Sequence, residues 1–341
     1  MNVHPARADS ARLAWIIRNP GARAAPSESR LRAAAGPLRR RGWEVEIRST
    51  AAPGDAESLA REALAAGAST VVAAGGDGTV HEVVNALAGS GGALGVIPAG
   101  TANVWAGEVA LPRSPERALA LVASGWRAHL DLGEAALPAG GGRRRFLLMA
   151  GAGVDGSVVR AMHGRRTAKR LGGRAAFGPA IAATALGARP LPVRITAGRR
   201  ELHRELWLAV CGNTRSYTGV LQLTSDARAD DGALDLLLLS GAGRRRQAAL
   251  IARSLRGSLH RRRAPGIDYL RRQALAIALE PGAAAPLEVQ ADGEPLATVH
   301  PGDEITLRAL PGALVAVLPR RPTPLLARSP GAPRAAPHAG R

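Results

Sequence analysis

Apolar positions in the first third of the chain come in short runs separated by turn residues, and the period of each run names its element. "RLAWII" (12–17) is a continuous apolar run stopped by Asn19-Pro20-Gly21, as expected of a buried strand. "SESRLRAAAGPLRRRG" has helical spacing interrupted at Gly36-Pro37. "WEVEIRST" (43–50) alternates strictly, with Trp43, Val45 and Ile47 set against Glu44, Glu46 and Arg48, and reads as a strand. "DAESLAREALAAG" (55–67) reads as a helix with Asp55 at its N-cap and Gly67 as its stop. "STVVAA" (69–74) is a strand that runs into Gly75-Gly76-Asp77-Gly78-Thr79. A helix follows at once, with Val80, Val83, Val84 and Leu87 on one face. The theme repeats in a strand at 94–97, a Pro98-Ala99-Gly100 turn and a short helix over 102–109. Strand–helix alternation of this kind predicts a parallel sheet with helices on both faces.

After about residue 126 the pattern changes. "AHLDLGEAAL", "RRFLLMAG", "LPVRITAG", "ELHRELWLAVCGN", "ALDLLLL", "YLRRQALAIAL", "PLEVQADGE" and "EITLRAL" all read as strands. Helical spacing interrupts them only around 155–163, 174–187 and 244–258. The expected organisation is a loose segment over 1–10 and an α/β nucleotide-binding domain over 11–126. A mostly antiparallel β-sandwich follows over 127–318, its last strands able to return toward the first domain. From Pro319 to Arg341 the Pro/Ala/Arg composition predicts a disordered tail.

Composition modifies this picture little. The 341 residues are 46% hydrophobic, sufficient for two cores. The formal charge of +19 invites nucleic acid or an anionic membrane. Aromatic residues amount to only 3%, which argues against base stacking and leaves attraction to anionic lipid headgroups. Lys169 is the only lysine, so the charge is almost wholly arginine, a bias that a GC-rich genome also produces. Cys211 stands alone, which excludes an intrachain disulfide and a thiolate metal cluster. No apolar run reaches the roughly 20 residues of a spanning helix, and "LAWII" is too short for a leader core. The expectation is a cytoplasmic protein, peripheral at the inner membrane face.

The chemistry concentrates at the glycine loop. A strand that delivers Gly-Gly-Asp-Gly-Thr to a helix N-terminus presents backbone N–H groups where phosphate oxygens can approach closely. It is neither a Walker A loop nor a Rossmann fingerprint. A carboxylate among those donors fits a Mg²⁺ partner or a proton acceptor. Taken alone, the stretch could also be a tight turn capped by Asp77.

"GGDGTVHEVVNAL" (75–87) resembles the nucleotide-binding signature of the diacylglycerol kinase catalytic family. Four further stretches resemble it in order: Asn19-Pro20, "LGVIPAGTAN" (94–103), "NTRSYTGVLQLTSDARADDGALD" (213–235) and "VQADGEPL" (289–296). NAD kinases share the short GGDG element. The resemblance implies an ATP- and Mg²⁺-dependent kinase acting on a lipid hydroxyl, diacylglycerol-like or sphingoid-like. It also implies a membrane lipid as substrate, contact with an anionic membrane surface, no nucleic acid and an open question of a homodimer. The alternatives are a non-catalytic lipid-binding relative or an NAD kinase.

By the same resemblance Asn19, Thr50, Gly75, Gly76, Asp77, Gly78, Thr79 and Thr101 line the ATP site. Thr50 could instead be an ordinary strand-end residue, and Thr101 a cap of the 102–109 helix. Asp292 and Glu294 are the candidate acid/base pair, with Asp77 a third contender, although Asp-Gly is also a common hairpin signal. Which of Asp292 and Glu294 is the base stays open. A structural Mg²⁺ is expected at Asp231 with the main-chain carbonyls of Arg228 and Ala233, where a turn aspartate is the plainer reading. His81 is expected at the surface or behind the site, and Asp155 in "GAGVDGSVV" as a cleft residue or a helix cap. Val104 and Trp105 stand where diacylglycerol-type members usually carry Asp-Phe, which leaves the substrate undetermined.

Overall fold

The computed structural model describes residues 12–163, 187–217, 219, 222–241, 243, 247–249, 265–321 and 323–326. The expected helix over 244–258 lies outside them except at 247–249, the 174–187 helix except at its last residue, and the 1–10 segment entirely.

The first part is built as the alternation requires. Strand β1 (Leu13–Arg18) leads through α1 (Glu28–Ala34) and α2 (Gly36–Arg39) to β2 (Glu44–Ser49). Then come α3 (Asp55–Ala65), β3 (Thr70–Gly75), α4 (Asp77–Leu87), β4 (Ala93–Pro98), α5 (Val104–Glu108) and α6 (Pro115–Ser124). The four strands are parallel in the order β2-β1-β3-β4. Because successive side chains of a strand point to opposite faces, each strand serves two cores. Ile16, Val72, Ala74 and Ile97 pack with Leu31, Leu38, Leu119 and Val122 on one face. Trp15, Ile17, Val71, Ala73, Leu94 and Val96 pack with Ala60, Val83, Val84 and Trp105 on the other. From β1 the chain moves first to β2 and then back past β1 to β3. The carboxyl ends of β1 and β3 therefore flank the topological switch point, where open α/β sheets bind ligands.

The second part holds β5 (Trp126–Ala136), β6 (Arg143–Phe146), β7 (Met149–Gly153), α7 (Val154–His163), β8 (Leu191–Ala197) and β9 (Arg200–Gly212). It continues with β10 (Leu234–Ser240), β11 (Ile267–Arg272), β12 (Ala274–Leu279), β13 (Leu287–Ala291), β14 (Glu294–Val299) and β15 (Glu304–Leu318). All pairings among these strands are antiparallel. The long β9 pairs with β8 along its first half and with β7 and β10 along its second, so it passes between the two layers of the sandwich. Val193, Ile195, Leu206, Leu236, Leu238, Ile277, Val289 and Ile305 fill the space between the layers. β15 runs beside β5 throughout, beside β12 early, and parallel to β4 at Val315 and Ala316. This one strand makes the α/β sheet and the sandwich continuous.

Three expectations need correction. "RRFLLMAG" is two strands divided at Leu147-Leu148, because the N–H groups there turn toward a side chain described below. "YLRRQALAIAL" divides at Gln273 into β11 and β12, which pair with different partners. Of the tail expected to be disordered from Pro319, only residues 319–321 and 323–326 are described, and there Leu325 is fully buried and its carbonyl accepts from Ala229 N at 2.9 Å; the rest of the tail lies outside the described residues. Two adjacent leucines in a Pro/Arg-rich stretch supply enough apolar surface to dock it.

Candidate active site

Three loops meet at the carboxyl ends of the parallel strands. After β1, Asn19 N donates to Ala74 O at 2.9 Å, and Asn19 Nδ2 donates to Thr79 Oγ1 at 3.0 Å. The first turn is thereby tied to the glycine loop. Gly75 must be glycine, since a Cβ there would stand 2.3 Å from Thr79 Oγ1. The glycine loop packs in turn on the Pro98-Ala99-Gly100 turn, backbone against backbone. A Cβ on Gly100 would lie 2.5 Å from Gly76 Cα. Ala99 N donates to Gly75 O at 2.8 Å, and Gly100 N donates to Asn103 Oδ1 at 2.8 Å. Thr50 follows β2 at the same end of the sheet, its N–H donating to Arg18 O at 2.9 Å.

Asp77 opens α4, and its Oδ1 accepts from Val104 N at 2.7 Å. It therefore caps α5 from another loop, in a place where the N-cap residue itself, Asn103, has φ 49° and makes no side-chain cap. Burial pushes the Asp77 carboxyl up, opposed by backbone N–H groups of α5 and reinforced by the charge of Asp292. Thr101 is exposed and does not cap that helix.

The turn between β13 and β14 reaches this site from the second domain. Asp292, at φ 50°, is held by a cradle: Oδ1 accepts from Leu148 N at 2.8 Å and Met149 N at 3.0 Å. Its Oδ2 accepts from Leu147 N at 2.8 Å and lies 3.0 Å from His81 Nδ1. The side chain is 2% exposed. These donors are why the strand predicted over 144–151 breaks. His81 is not a surface residue, being 15% exposed and one helical turn along α4 from Asp77. Burial alone would lower its pKa, but the hydrogen bond and charge of Asp292, with Glu294 and Glu82 behind them, hold it above the usual histidine value. Asn85, one turn further, accepts from Arg145 N at 3.1 Å and donates to Arg145 O at 3.1 Å, fastening β6 to the same helix face.

Glu294 faces the glycine loop itself. Its Oε1 lies 3.5 Å from where a Cβ on Gly78 would stand, so the missing side chain of Gly78 makes room for it. Asn19, Gly75 to Thr79, Gly100, Asp292 and Glu294 thus converge at the N-terminus of α4, where helix N–H groups favour anions. His81, Asn85 and the 147–149 backbone belong to the same constellation. Their trace in the sequence is the His81/Asn85 pair one turn apart on α4, a helix that also carries Glu82.

Asp231 is not joined to that cluster. Its Oδ1 accepts from Ala233 N at 3.1 Å, and its carboxylate is ion-paired with the Arg271 guanidinium. The loop is pinned by Asp131, which accepts from Gly232 N at 2.6 Å and Gly312 N at 2.8 Å. A guanidinium already neutralises the carboxylate, so the arrangement does not fit a divalent ion unless Arg271 moves aside. Among the described residues no group of three or more His, Cys, Asp or Glu side chains is set to hold a metal ion. Nor is any described helix long and apolar enough to cross a membrane.

Known proteins match this chain over most of its length. The model of the diacylglycerol kinase catalytic domain matches residues 13–135, and that of the YegS C-terminal NAD kinase beta sandwich-like domain matches residues 149–318. A Pseudomonas fluorescens protein named "Probable lipid kinase YegS-like" is 35% identical over 305 residues, 87% of this chain and 92% of the relative. A Mycobacterium tuberculosis protein named "Diacylglycerol kinase" is 35% identical over 206 residues, 60% of this chain and 65% of the relative. In fold, the crystal structure of a diacylglycerol kinase from Bacillus anthracis superposes with a TM-score of 0.64 at 21% identity, covering 90% of this chain and 96% of that one.

Proposed function

Since this chain belongs to the diacylglycerol kinase catalytic-domain family of lipid kinases, we propose that it transfers the γ-phosphate of ATP to the hydroxyl of a diacylglycerol-like or sphingoid-like membrane lipid. The observation that carries this reading is the placement of Glu294 over Gly78, at the mouth of a glycine loop on a helix N-terminus. Backbone donors of residues 75–79 receive the phosphates, and glycine at 75, 76 and 100 lets the two loops close on them. Glu294 takes the proton of the attacking hydroxyl as the new phosphate ester forms. Asp292 does not serve as that base, because its lone pairs already receive three N–H groups and face His81. Its task is to hold the turn that aims Glu294.

Mg²⁺ bound with ATP would neutralise the charge of the phosphates, and Asp77, the one carboxylate among residues 75–79, would help to hold it. Asp77 fixes α5 and so sets the wall of the nucleotide pocket. Arginines on the surface bring the protein to an anionic membrane from the cytoplasmic side, where the lipid hydroxyl is presented.

The test is transfer of labelled γ-phosphate to diacylglycerol, monoacylglycerol, phosphatidylglycerol, sphingosine, ceramide and undecaprenol in mixed micelles, with NAD as a soluble control. A lipid labelled by the parent and not by Glu294→Gln supports the assignment. Labelled NAD, or no labelled lipid with ATP still bound, would overturn it.

A further inference from the structure

One motif remains without a role in this reading: "GAGVDG" (151–156), whose glycines all make way for one carboxylate or its helix. A Cβ on Gly151 would lie 1.6 Å from Asp155 Oδ2, and one on Gly156 would lie 2.1 Å from Glu288 O. Gly153 takes φ 82° at the corner where β7 becomes α7. Three glycines in six residues let α7 sit directly on β7 and β13 and bury Asp155, which is 2% exposed.

A buried carboxylate is costly unless it is hydrogen-bonded. Asp155 Oδ1 accepts from the Tyr217 hydroxyl, and Oδ2 accepts from Gln290 Nε2 at 2.7 Å. Gln290 is itself 2% exposed, and its Oε1 accepts from Gly293 N at 2.8 Å, inside the turn between Asp292 and Glu294. On the other side of Tyr217, Ser216 N donates to Glu108 at the end of α5, the helix whose first N–H group is held by Asp77. The bonds form a closed circuit. It runs from Asp77 through α5, Glu108, Ser216, Tyr217, Asp155, Gln290 and Gly293 to Asp292, and returns through His81 to α4.

On the lipid-kinase reading given above, we infer that Asp155 is a positioning residue for phosphoryl transfer: it joins the Tyr217 segment to the turn that aims Glu294, so the two are set together. Burial holds the Asp155 pKa above the usual carboxylate value, with the two hydrogen bonds working against it. Loss of the junction leaves the phosphate loops intact and lets the catalytic turn drift. Misplacement of about 1 Å can cost on the order of 100-fold in rate.

The experiment compares Tyr217→Phe, Asp155→Asn and the double variant in the lipid assay. Each single change should lower kcat by about 10- to 100-fold while KM for ATP stays within about twofold. The double variant should be no slower than the slower single one, because both break the same link. Tyr217→Phe keeps the ring and decides the matter if Asp155→Asn does not fold. Activity within twofold of the parent, multiplicative losses or a large change in KM for ATP would overturn the inference. A second readout needs no lipid. The chain has 2 tyrosines, so ¹³Cζ-labelled protein gives two signals, and Tyr217→Phe assigns one of them. Gln290→Leu does not touch Tyr217, yet it should shift the Tyr217 signal through Asp155. An unmoved signal would overturn the linkage even if no lipid were phosphorylated by the parent, a result that by itself would fail only the kinase reading.

Discussion

Asp292→Asn separates the carboxylate that holds the turn from Glu294, the base proposed above. Asparagine tolerates the left-handed backbone at φ 50° better than other residues with a Cβ, so the substitution isolates the side chain. A single amide oxygen can replace only one of the two carboxylate oxygens. If it takes the Oδ1 position it keeps Leu148 N and Met149 N, and the amide nitrogen then faces Leu147 N–H, donor against donor. A buried N–H left without an acceptor costs about 1–3 kcal/mol. The two retained bonds weaken from charge-assisted to neutral, which adds about 1 kcal/mol. The expected loss of stability is therefore about 2–4 kcal/mol, read as a lower guanidinium midpoint at unchanged slope. Glu294→Gln should do the opposite. Glutamine keeps the length and shape of the side chain, so stability should change by about 1 kcal/mol or less, while phosphoryl transfer falls by about 100-fold or more. The division of labour is refuted if Asp292→Asn unfolds with the parent yet abolishes transfer, or if Glu294→Gln destabilises strongly and leaves the rate alone.

His81 gives a pH test: its pKa is raised in the fold by Asp292, so the stabilisation is complete below about 6.5 and is lost as pH rises through the higher folded value. Unfolding midpoints should thus fall on the alkaline side in the parent and lose that slope in His81→Gln. Gly100→Ala would place a methyl group 2.5 Å from Gly76 Cα, and should cost about 1–3 kcal/mol and weaken binding of a non-hydrolysable ATP analogue in calorimetry. Arg271→Ala removes the cation now paired with Asp231, so Mg²⁺ affinity by titration should tighten by about tenfold or more, and Asp231→Asn should erase the gain.

What the sequence makes legible is whatever local spacing controls. Buried parallel strands read as unbroken apolar runs, the glycine loop announces a close backbone approach, and Asp292 and Glu294 stand together beside a turn signal. What spacing does not carry is direction. Asp292 and Glu294 are two residues apart, yet one turns inward to three N–H groups from residues 147–149 and the other outward to Gly78. Those donors lie more than 140 positions away in the chain, so no window of sequence could tell the proposed base from the anchor. The same limit hid His81, whose role depends on a partner 211 positions distant. It also hid Leu325, buried from within a stretch whose composition argued for disorder. The glycines of "GAGVDG" are the intermediate case. Their density marks a crowded place, but only the fold shows that the crowding serves one carboxylate. The order of roles at this site therefore follows from topology: β13 delivers its turn across the sheet that β15 makes continuous, and the residues on either side of Gly293 meet opposite surroundings.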